Sequence, residues 1–231
     1  MATDKVHSVP PAGGEGERVQ RYFDSEADRF DAIYRQDKGV VAKVVDGLFR
    51  GVIHRRFDLT FSLCGPAEGK RVLDIGCGSG RYSVEYARRG ALAHGLDFAA
   101  AMVSMSDEAA AAAGVADRCV FEQADFMRWE APQPFDIALG IGFFDYIDEP
   151  QAFLERIRSQ MAPGGQGVFS FPKRWNLRAP TRWLRLNLNG CPVHFYGRSQ
   201  VRELVDRAGW PEADIHTLSR DYIVHARAAS K

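Results

Sequence analysis

The sequence has few features that would tie it to a metal centre, a disulfide scaffold or a membrane. Its four cysteines, Cys64, Cys77, Cys119 and Cys191, stand far apart, with no CxxC pair and no histidines at ligand spacing. That excludes a zinc site and a disulfide framework, and leads to the expectation of reduced thiols in a cytoplasmic protein with no metal. No stretch approaches the roughly 18 uncharged apolar residues of a membrane span, and the opening MATDKVHSVPPAGGEGE has no apolar signal core. Net charge is also missing: 30 Lys and Arg balance 30 Asp and Glu, so no global field draws the chain to nucleic acid or an anionic surface. What is present suffices for a core. At 231 residues, 45% hydrophobic and 26% charged, the chain fits one domain with small additions. Nothing in the sequence sets an oligomeric state.

Residues 1–17 read as a disordered tail and 18–65 as a helical cap. In the cap, Tyr22, Phe23, Phe30 and Tyr34 recur at helical intervals, and Val41, Val44, Val45, Leu48, Val52 and Ile53 do so again. His54, beside Arg55 and Arg56, reads as part of a solvated helix face. From Lys70 the pattern becomes short apolar runs alternating with helical segments, as in a parallel sheet with crossover helices. Strands are expected near 71–75, 92–96, 118–122, 135–140 and 166–171, and helices near 80–89, 99–113, 149–160 and 198–208. Gly209 and Pro211 stop the last helix. The closing ADIHTLSRDYIVHARA, two β-rich runs about a Ser-Arg-Asp connection, predicts an antiparallel hairpin at the sheet edge.

The stretch VLDIGCGSG, residues 72–80, predicts a strand, a bare-backbone turn and a helix N-terminus, an open ligand site. It is not the dinucleotide fingerprint GxGxxG, because Arg81 stands where the third glycine belongs, and it lacks the GK[ST] ending of a phosphate loop. Asp74 would repel a pyrophosphate and attract an ammonium or sulfonium. S-adenosylmethionine carries both cations and no phosphate. A helix-capping role for Asp74 is set aside at this point, since the acid lies several residues ahead of the first turn. Asp97, about 20 residues beyond Gly78, stands where an acid accepts from ribose hydroxyls. Phe98 and Met102 are positioned to cover a flat base, Asp125 to accept from an adenine amino group, and Phe126 to stack. Gly140, ending the fourth strand, leaves room for the methionine part. Cys77, with no base at recognisable spacing, reads as a small packing residue of the loop.

Taken in order, VLDIGCGSG, GLDFAAAM, QADF, FDIALGIGFFDYID and LERIRSQMAPGGQGVFSF give the chain a pattern that resembles the class I S-adenosylmethionine-dependent methyltransferases over roughly residues 70 to 228. The resemblance implies an α/β fold: a Rossmann-like, seven-stranded, mostly parallel sheet with a C-terminal antiparallel hairpin, helices on both faces and an N-terminal helical addition. It carries Asp74, Gly76, Gly78, Asp97, Asp125, Phe126 and Gly140 over as cofactor-binding positions, joined by Cys77, Phe98 and Met102 beside those motifs. The methyltransferase domain would span residues 66–231. The helical addition resembles that of small-molecule members such as the magnesium-protoporphyrin and ubiquinone-pathway O-methyltransferases.

Substrate recognition in such enzymes comes from the N-terminal helices and the insert after the fifth strand, here about 172–197. That insert interleaves Lys173, Arg174, Arg178, Arg182 and Arg185 with Trp175, Trp183, Phe195 and Tyr196, and no Asp or Glu occurs between Arg156 and Arg202. Arginine beside aromatic rings suits a planar anionic acceptor. An amphipathic helix with its tryptophans turned to the core is the alternative. The expected acceptor contacts are Tyr22, Tyr34, Arg178, Arg182 and Tyr196, with Tyr146 and His194 as catalytic residues. Tyr22, Phe23, Phe30 and Tyr34 form either a lid or a docking face. The expected function is methyl transfer to a small acceptor, at oxygen. A noncatalytic binder of S-adenosylmethionine or S-adenosylhomocysteine, and an N- or C-methyltransferase, stay open. Asp97→Ala is expected to remove donor binding and leave the fold intact.

Overall fold

A computed structural model describes residues 54–176 and 193–230. Helix α1 covers 54–64, and strand β1, Arg71–Ile75, leads through the glycine loop into α2, Arg81–Arg88. There follow β2 (Leu92–Asp97), α3 (Ala100–Ala112), β3 (Cys119–Gln123) and β4 (Phe135–Gly140). A short 3-10 turn at Phe144–Tyr146 precedes α4 (Pro150–Ser159), β5 (Met161–Pro172), α5 (Arg198–Arg207), β6 (Glu212–Thr217) and β7 (Asp221–Arg227). The strands form one sheet in the order β3-β2-β1-β4-β5-β7-β6. Neighbours run parallel from β3 to β5, and β7 lies antiparallel between β5 and β6. The sheet and its terminal hairpin follow the expected plan.

Strand alternation sends side chains to two cores. Val72, Ile137, Leu139, Val168 and Ile223 face Phe61 and Cys64 of α1 and Tyr82 and Tyr86 of α2. On the opposite face, Leu73, Ala138, Phe169, Phe171 and Val224 meet Phe153, Leu154 and Ile157 of α4 and Val201 and Val205 of α5. The strands are thus buried on both sides, which is why they read as continuous apolar runs. Helix α1 is seated by rings: Phe61 and Tyr86 centroids lie 4.5 Å apart, and Phe57 and Tyr82 5.1 Å.

The largest departure from the expected bounds is β5, which begins at Met161 rather than near 166. Met161 pairs with Phe135, and a register shift then absorbs the Pro163-Gly164-Gly165 stretch. Those residues carry a turn's composition but sit in an irregular strand start.

The site follows from the topology. Strand order runs outward in opposite directions from β1 and β4, so the crossover connections on either side leave a crevice above the C-terminal ends of these strands.

Candidate functional site

A cavity of about 680 Å³ opens in that crevice. Its wall runs from the glycine loop across the ends of β2 and β3, through Asp97 and Asp125, and returns by the segment after β4.

Gly76, Gly78 and Gly80 have φ of 65°, 55° and 70°, a region costly to any residue with a Cβ. They differ in what surrounds them. A Cβ on Gly80 would lie 2.9 Å from the Ser106 side chain, and one on Gly76 3.2 Å from the Phe143 ring, whereas one on Gly78 meets nothing within 4 Å. Gly78 is therefore where the backbone is bared to the cavity. The Asp97 carboxylate holds it there. One oxygen accepts from the Gly78 N–H at 3.0 Å and the other from the Ala99 N–H at 3.0 Å, so a single buried acid joins the glycine loop to the start of α3.

Asp74 is buried and accepts hydrogen bonds from the Ser83 hydroxyl, at 2.7 Å, and from the Ser83 backbone. Ser83 is in the first turn of α2. The capping role set aside on sequence distance is therefore real, because the left-handed loop folds the chain back until the strand-borne acid meets the helix N-terminus. Burial dominates over these bonds and over the nearby Asp97 charge, and lifts the Asp74 carboxyl to about 7. Cys77 lies beneath the loop, its Sγ 3.8 Å from the Ser106 hydroxyl. Burial, with Asp74 and Asp97 nearby, pushes its thiol well up, which keeps it protonated and inert as a nucleophile.

Phe98, Met102, Asp125 and Phe126 all line the cavity. Asp125 accepts from the Met127 N–H at 3.0 Å, while the Phe126 ring also packs on Phe153 with centroids 5.0 Å apart. Tyr146 lines the wall from the 3-10 turn after β4. His194 is held near it through its N–H, which donates to the Asp145 carbonyl at 2.7 Å, and through its Nε2, 2.9 Å from Asp148 Oδ1. Asp148 lines the cavity, and His194 does not.

Two assignments are corrected. Gly140 does not line the cavity; a Cβ there would strike the rings of Phe144 at 2.9 Å, Phe169 at 3.1 Å and Phe143 at 3.2 Å, so its missing side chain makes room for core aromatics rather than for a ligand. Tyr196 is a core residue, 3% exposed, whose hydroxyl donates to the Phe144 carbonyl at 2.9 Å and whose ring packs on Phe171. Tyr196→Phe should lower stability by about 1 to 2 kcal/mol, because a buried carbonyl loses its donor, and leave nucleoside affinity unchanged; a denaturant melt and calorimetry check the two halves. Tyr22, Tyr34, Arg178 and Arg182 lie outside the described residues.

Arg56, two residues after His54 and given no role from sequence, lines the cavity. Its Nη1 lies 3.5 Å from Asp221 Oδ2, and its Nη2 would be 3.6 Å from a Cβ on Gly142. Burial works against its charge, but Tyr82, Asp221 and Asp145 outweigh that and raise its pKa. Its partner sits on the last strand, so no local pattern in the chain marks it.

Comparison with known proteins agrees with this arrangement. Residues 72–165 match the family described as a methyltransferase domain. The ubiquinone biosynthesis O-methyltransferase of Shewanella sp. (strain ANA-3) is 32% identical over 106 residues, 46% of this chain and 45% of that protein. The chain thus spans somewhat under half the length of the curated relatives it matches. Among solved structures, magnesium protoporphyrin IX methyltransferase from Synechocystis PCC 6803, with bound S-adenosylhomocysteine, superposes with a TM-score of 0.70 at 21% identity, covering 91% of this chain and 98% of that one. Geranyl diphosphate C-methyltransferase from Streptomyces coelicolor A3(2) gives 0.71 at 16% identity, covering 94% and 99%. These likenesses establish the fold. The sheet order, the glycine loop ending β1 and the matched segment agree with one another: residues 72–165 match a methyltransferase domain, and the chain shares the fold of the solved methyltransferases it resembles.

Proposed function

We propose that the protein transfers a methyl group from S-adenosylmethionine to a small, planar, anionic acceptor, at oxygen. One observation carries the reading: the cavity at the sheet's switch point joins a backbone bared at Gly78 to three carboxyl side chains, Asp74, Asp97 and Asp125. With Asp148 and Glu149 the wall carries five acids against three arginines, Arg56, Arg81 and Arg128, and that balance favours a cationic, phosphate-free nucleoside over a phosphate. Its volume of about 680 Å³ lies within the range of small-molecule sites, roughly 300–1,000 Å³.

The residues fit that donor. Asp97 would accept from the ribose hydroxyls, Asp125 from the adenine amino group, and Phe98, Met102 and Phe126 would wall the base, while Asp74 and the loop backbone at Gly76 and Gly78 would hold the amino-acid end. The donor supplies a methyl group already activated by its sulfonium. The protein's work is then to hold the acceptor in line and exclude water, for which orientation can supply up to about 7 to 11 kcal/mol. Tyr146 would position the acceptor. His194, which pairs with Asp148 behind the cavity wall, would help take the proton of a phenolic acceptor only through that carboxylate, and a carboxylate acceptor would need no base. Tyr22, Tyr34, Arg178 and Arg182 remain the proposed contacts to an anionic acceptor. The residues before position 66 are proposed as its cap.

Oxygen as the methylated atom is supported by the names of the curated relatives, which are O-methyltransferases; the fold is shared with a C-methyltransferase and does not choose the atom. Balanced charge favours a small acceptor over nucleic acid. A cytoplasmic setting is supported by the free thiols of Cys64, Cys77 and Cys119. Among the described residues no helix is long and apolar enough to cross a membrane.

Two measurements test the reading. Calorimetry should give micromolar binding of S-adenosylhomocysteine and none of NADH; the reverse overturns it. Radiolabelled donor incubated with fractionated cell extract should label a small anionic product. Stoichiometric donor binding with no labelled product in any fraction would favour a noncatalytic binder.

A further inference from the structure

The two edges of the sheet are finished differently. At one edge, β6 exposes the acids Glu212 and Asp214 and no large apolar side chain, a composition that keeps an edge strand from pairing. At the other, β3 pairs with β2 and, among the described residues, with no strand on its outer side. Its Val120 is 51% exposed, and Leu92, two residues before the His94 that pairs with Val120, is 53% exposed. Alternation puts Leu92 and Val120 on one face of the sheet. The connection from β3 to β4 carries no helix to cover them.

The open edge has a definite pattern. The Ala124 N–H donates to the Asp97 carbonyl at 3.0 Å, so by alternation the backbone groups of Val120 and Glu122 turn to β2, and those of Cys119, Phe121 and Gln123 turn outward. An added strand would meet those outward groups and, beside them, the side chains of Arg118, Val120 and Glu122. Arg118 is exposed and has no ion pair among the described residues. Glu122 is fixed: Oε1 lies 2.8 Å from His94 Nε2, and Oε2 accepts from Trp129 Nε1 at 3.2 Å. A carboxylate so held still has lone pairs for another donor. Along residues 118–122 the edge thus presents a cation, an exposed apolar side chain and an anion, in that order.

That order is complementary to itself when reversed. We infer that the chain self-associates through β3, two copies pairing antiparallel about a two-fold axis at Val120. Cys119 of each copy then exchanges hydrogen bonds with Phe121 of the other, Val120 faces its counterpart, and each Arg118 faces Glu122 of the other copy. Moving the axis to Phe121 would set Val120 against Glu122 and leave Arg118 opposite Ala124, so charge and apolar contact select the first register. Leu92, Val120 and their counterparts form one apolar strip across four strands. The axis lies in the first half of β3, whereas the cavity opens at the far ends of the strands, so both copies keep an open site. This pairing is independent of the methyl-transfer reading. Strands of 5 residues make a small interface of the transient class, with a dissociation constant on the order of 10 to 100 μM.

Sedimentation of the full chain from about 1 to about 300 μM should show monomer passing into dimer. Val120→Lys, which sets two ammonium groups face to face on the axis, should stay monomeric across that range. Should it fail to fold, Arg118→Glu, ahead of the strand, should weaken the dimer about 10-fold or more through like charges. The register is read by Val120→Cys. A directly opposed pair of this kind brings Cα atoms to about 4.5 Å, within disulfide reach, so oxidised glutathione should yield a covalent dimer well beyond that of wild type with its native cysteines. Gln123→Cys should not. A monomer at every concentration leaves the edge to another protein or to solvent and overturns the proposal. So does a dimer that persists in Val120→Lys, or Val120→Cys that cross-links no faster than wild type.

Discussion

Asp97→Ala is expected to lower the affinity for S-adenosylhomocysteine by at least about 100-fold, which is about 3 kcal/mol or two charge-assisted hydrogen bonds. The acid is placed for two tasks at once. Its oxygens hold the Gly78 and Ala99 N–H groups at 3.0 Å each, and a carboxylate, with about four lone-pair sites, is compatible with further bonds from ribose hydroxyls. Removing it takes away the ribose contact and also unties the bared stretch of the glycine loop from α3. The expectation of an intact fold must therefore be revised. Two backbone donors lose their partners in a largely buried place, at a cost of roughly 2 to 4 kcal/mol of stability. A denaturant melt should show that loss beside the calorimetric one. Asp97→Asn keeps an acceptor oxygen but no charge and should fall between wild type and alanine on both measures. An alanine variant that melts earlier yet binds S-adenosylhomocysteine as wild type does would strip Asp97 of its ribose role and leave it a loop tether only.

How far the sequence could lead is seen best at residues whose partners are near or far along the chain. Strand β1, its glycine loop and α2 are contiguous, and the pattern that marks them is local: an apolar run, three glycines at alternate positions, then a helical stretch. The terminal hairpin is local as well, and Gly209 takes φ 78° at the helix stop as its type suggests. The irregular start of β5 was hidden because Pro and Gly signal turns by backbone preference, and only pairing with Phe135 reveals a strand there. Long-range contacts were not legible. Tyr196 shares its composition and neighbourhood with acceptor-binding aromatics, and its burial depends on Phe144 and Phe171, carried by the preceding strand and turn. The pairing of His194 with Asp148 and that of Arg56 with Asp221 join parts of the chain that no spacing rule connects. Gly140 shows a different limit: a bare position tells that something approaches closely, not whether it is a ligand or a ring.

The same separation explains the error about Asp74. Distance along the chain argued against capping, yet three glycines with positive φ reverse the backbone so tightly that the acid meets Ser83. This dual placement, under the helix and on the cavity wall, makes Asp74 a proton-linked residue as well as a structural one. Its charge state then depends on whether a cation is present.

That dependence gives the second large effect. The folded Asp74 carboxyl titrates at about 7 against an ordinary 3.8, so between these values the folded protein keeps a proton that the unfolded chain has released. The unliganded fold should therefore be most favoured by this group below about pH 4 and lose about 1.4 kcal/mol per pH unit as pH rises toward 7, levelling off beyond it. Asp74→Asn should remove that slope, and urea melts of both proteins across this range would show it as a gain for the variant that widens up to about pH 7 and is constant above it. Donor binding should run the other way. An ammonium beside Asp74 favours the ionised carboxyl, so wild-type affinity for S-adenosylhomocysteine should rise about tenfold per pH unit up to 7 and then level off, with a proton released on binding at the lower pH. In Asp74→Asn the affinity should be low and flat through the same range, since no charge remains to develop. Proton release is read directly from calorimetry in buffers of different ionisation enthalpy. Wild-type affinity that does not change between pH 5.5 and 8, with no proton exchanged, would mean that Asp74 only caps α2 and that the cation preference of the site has another source.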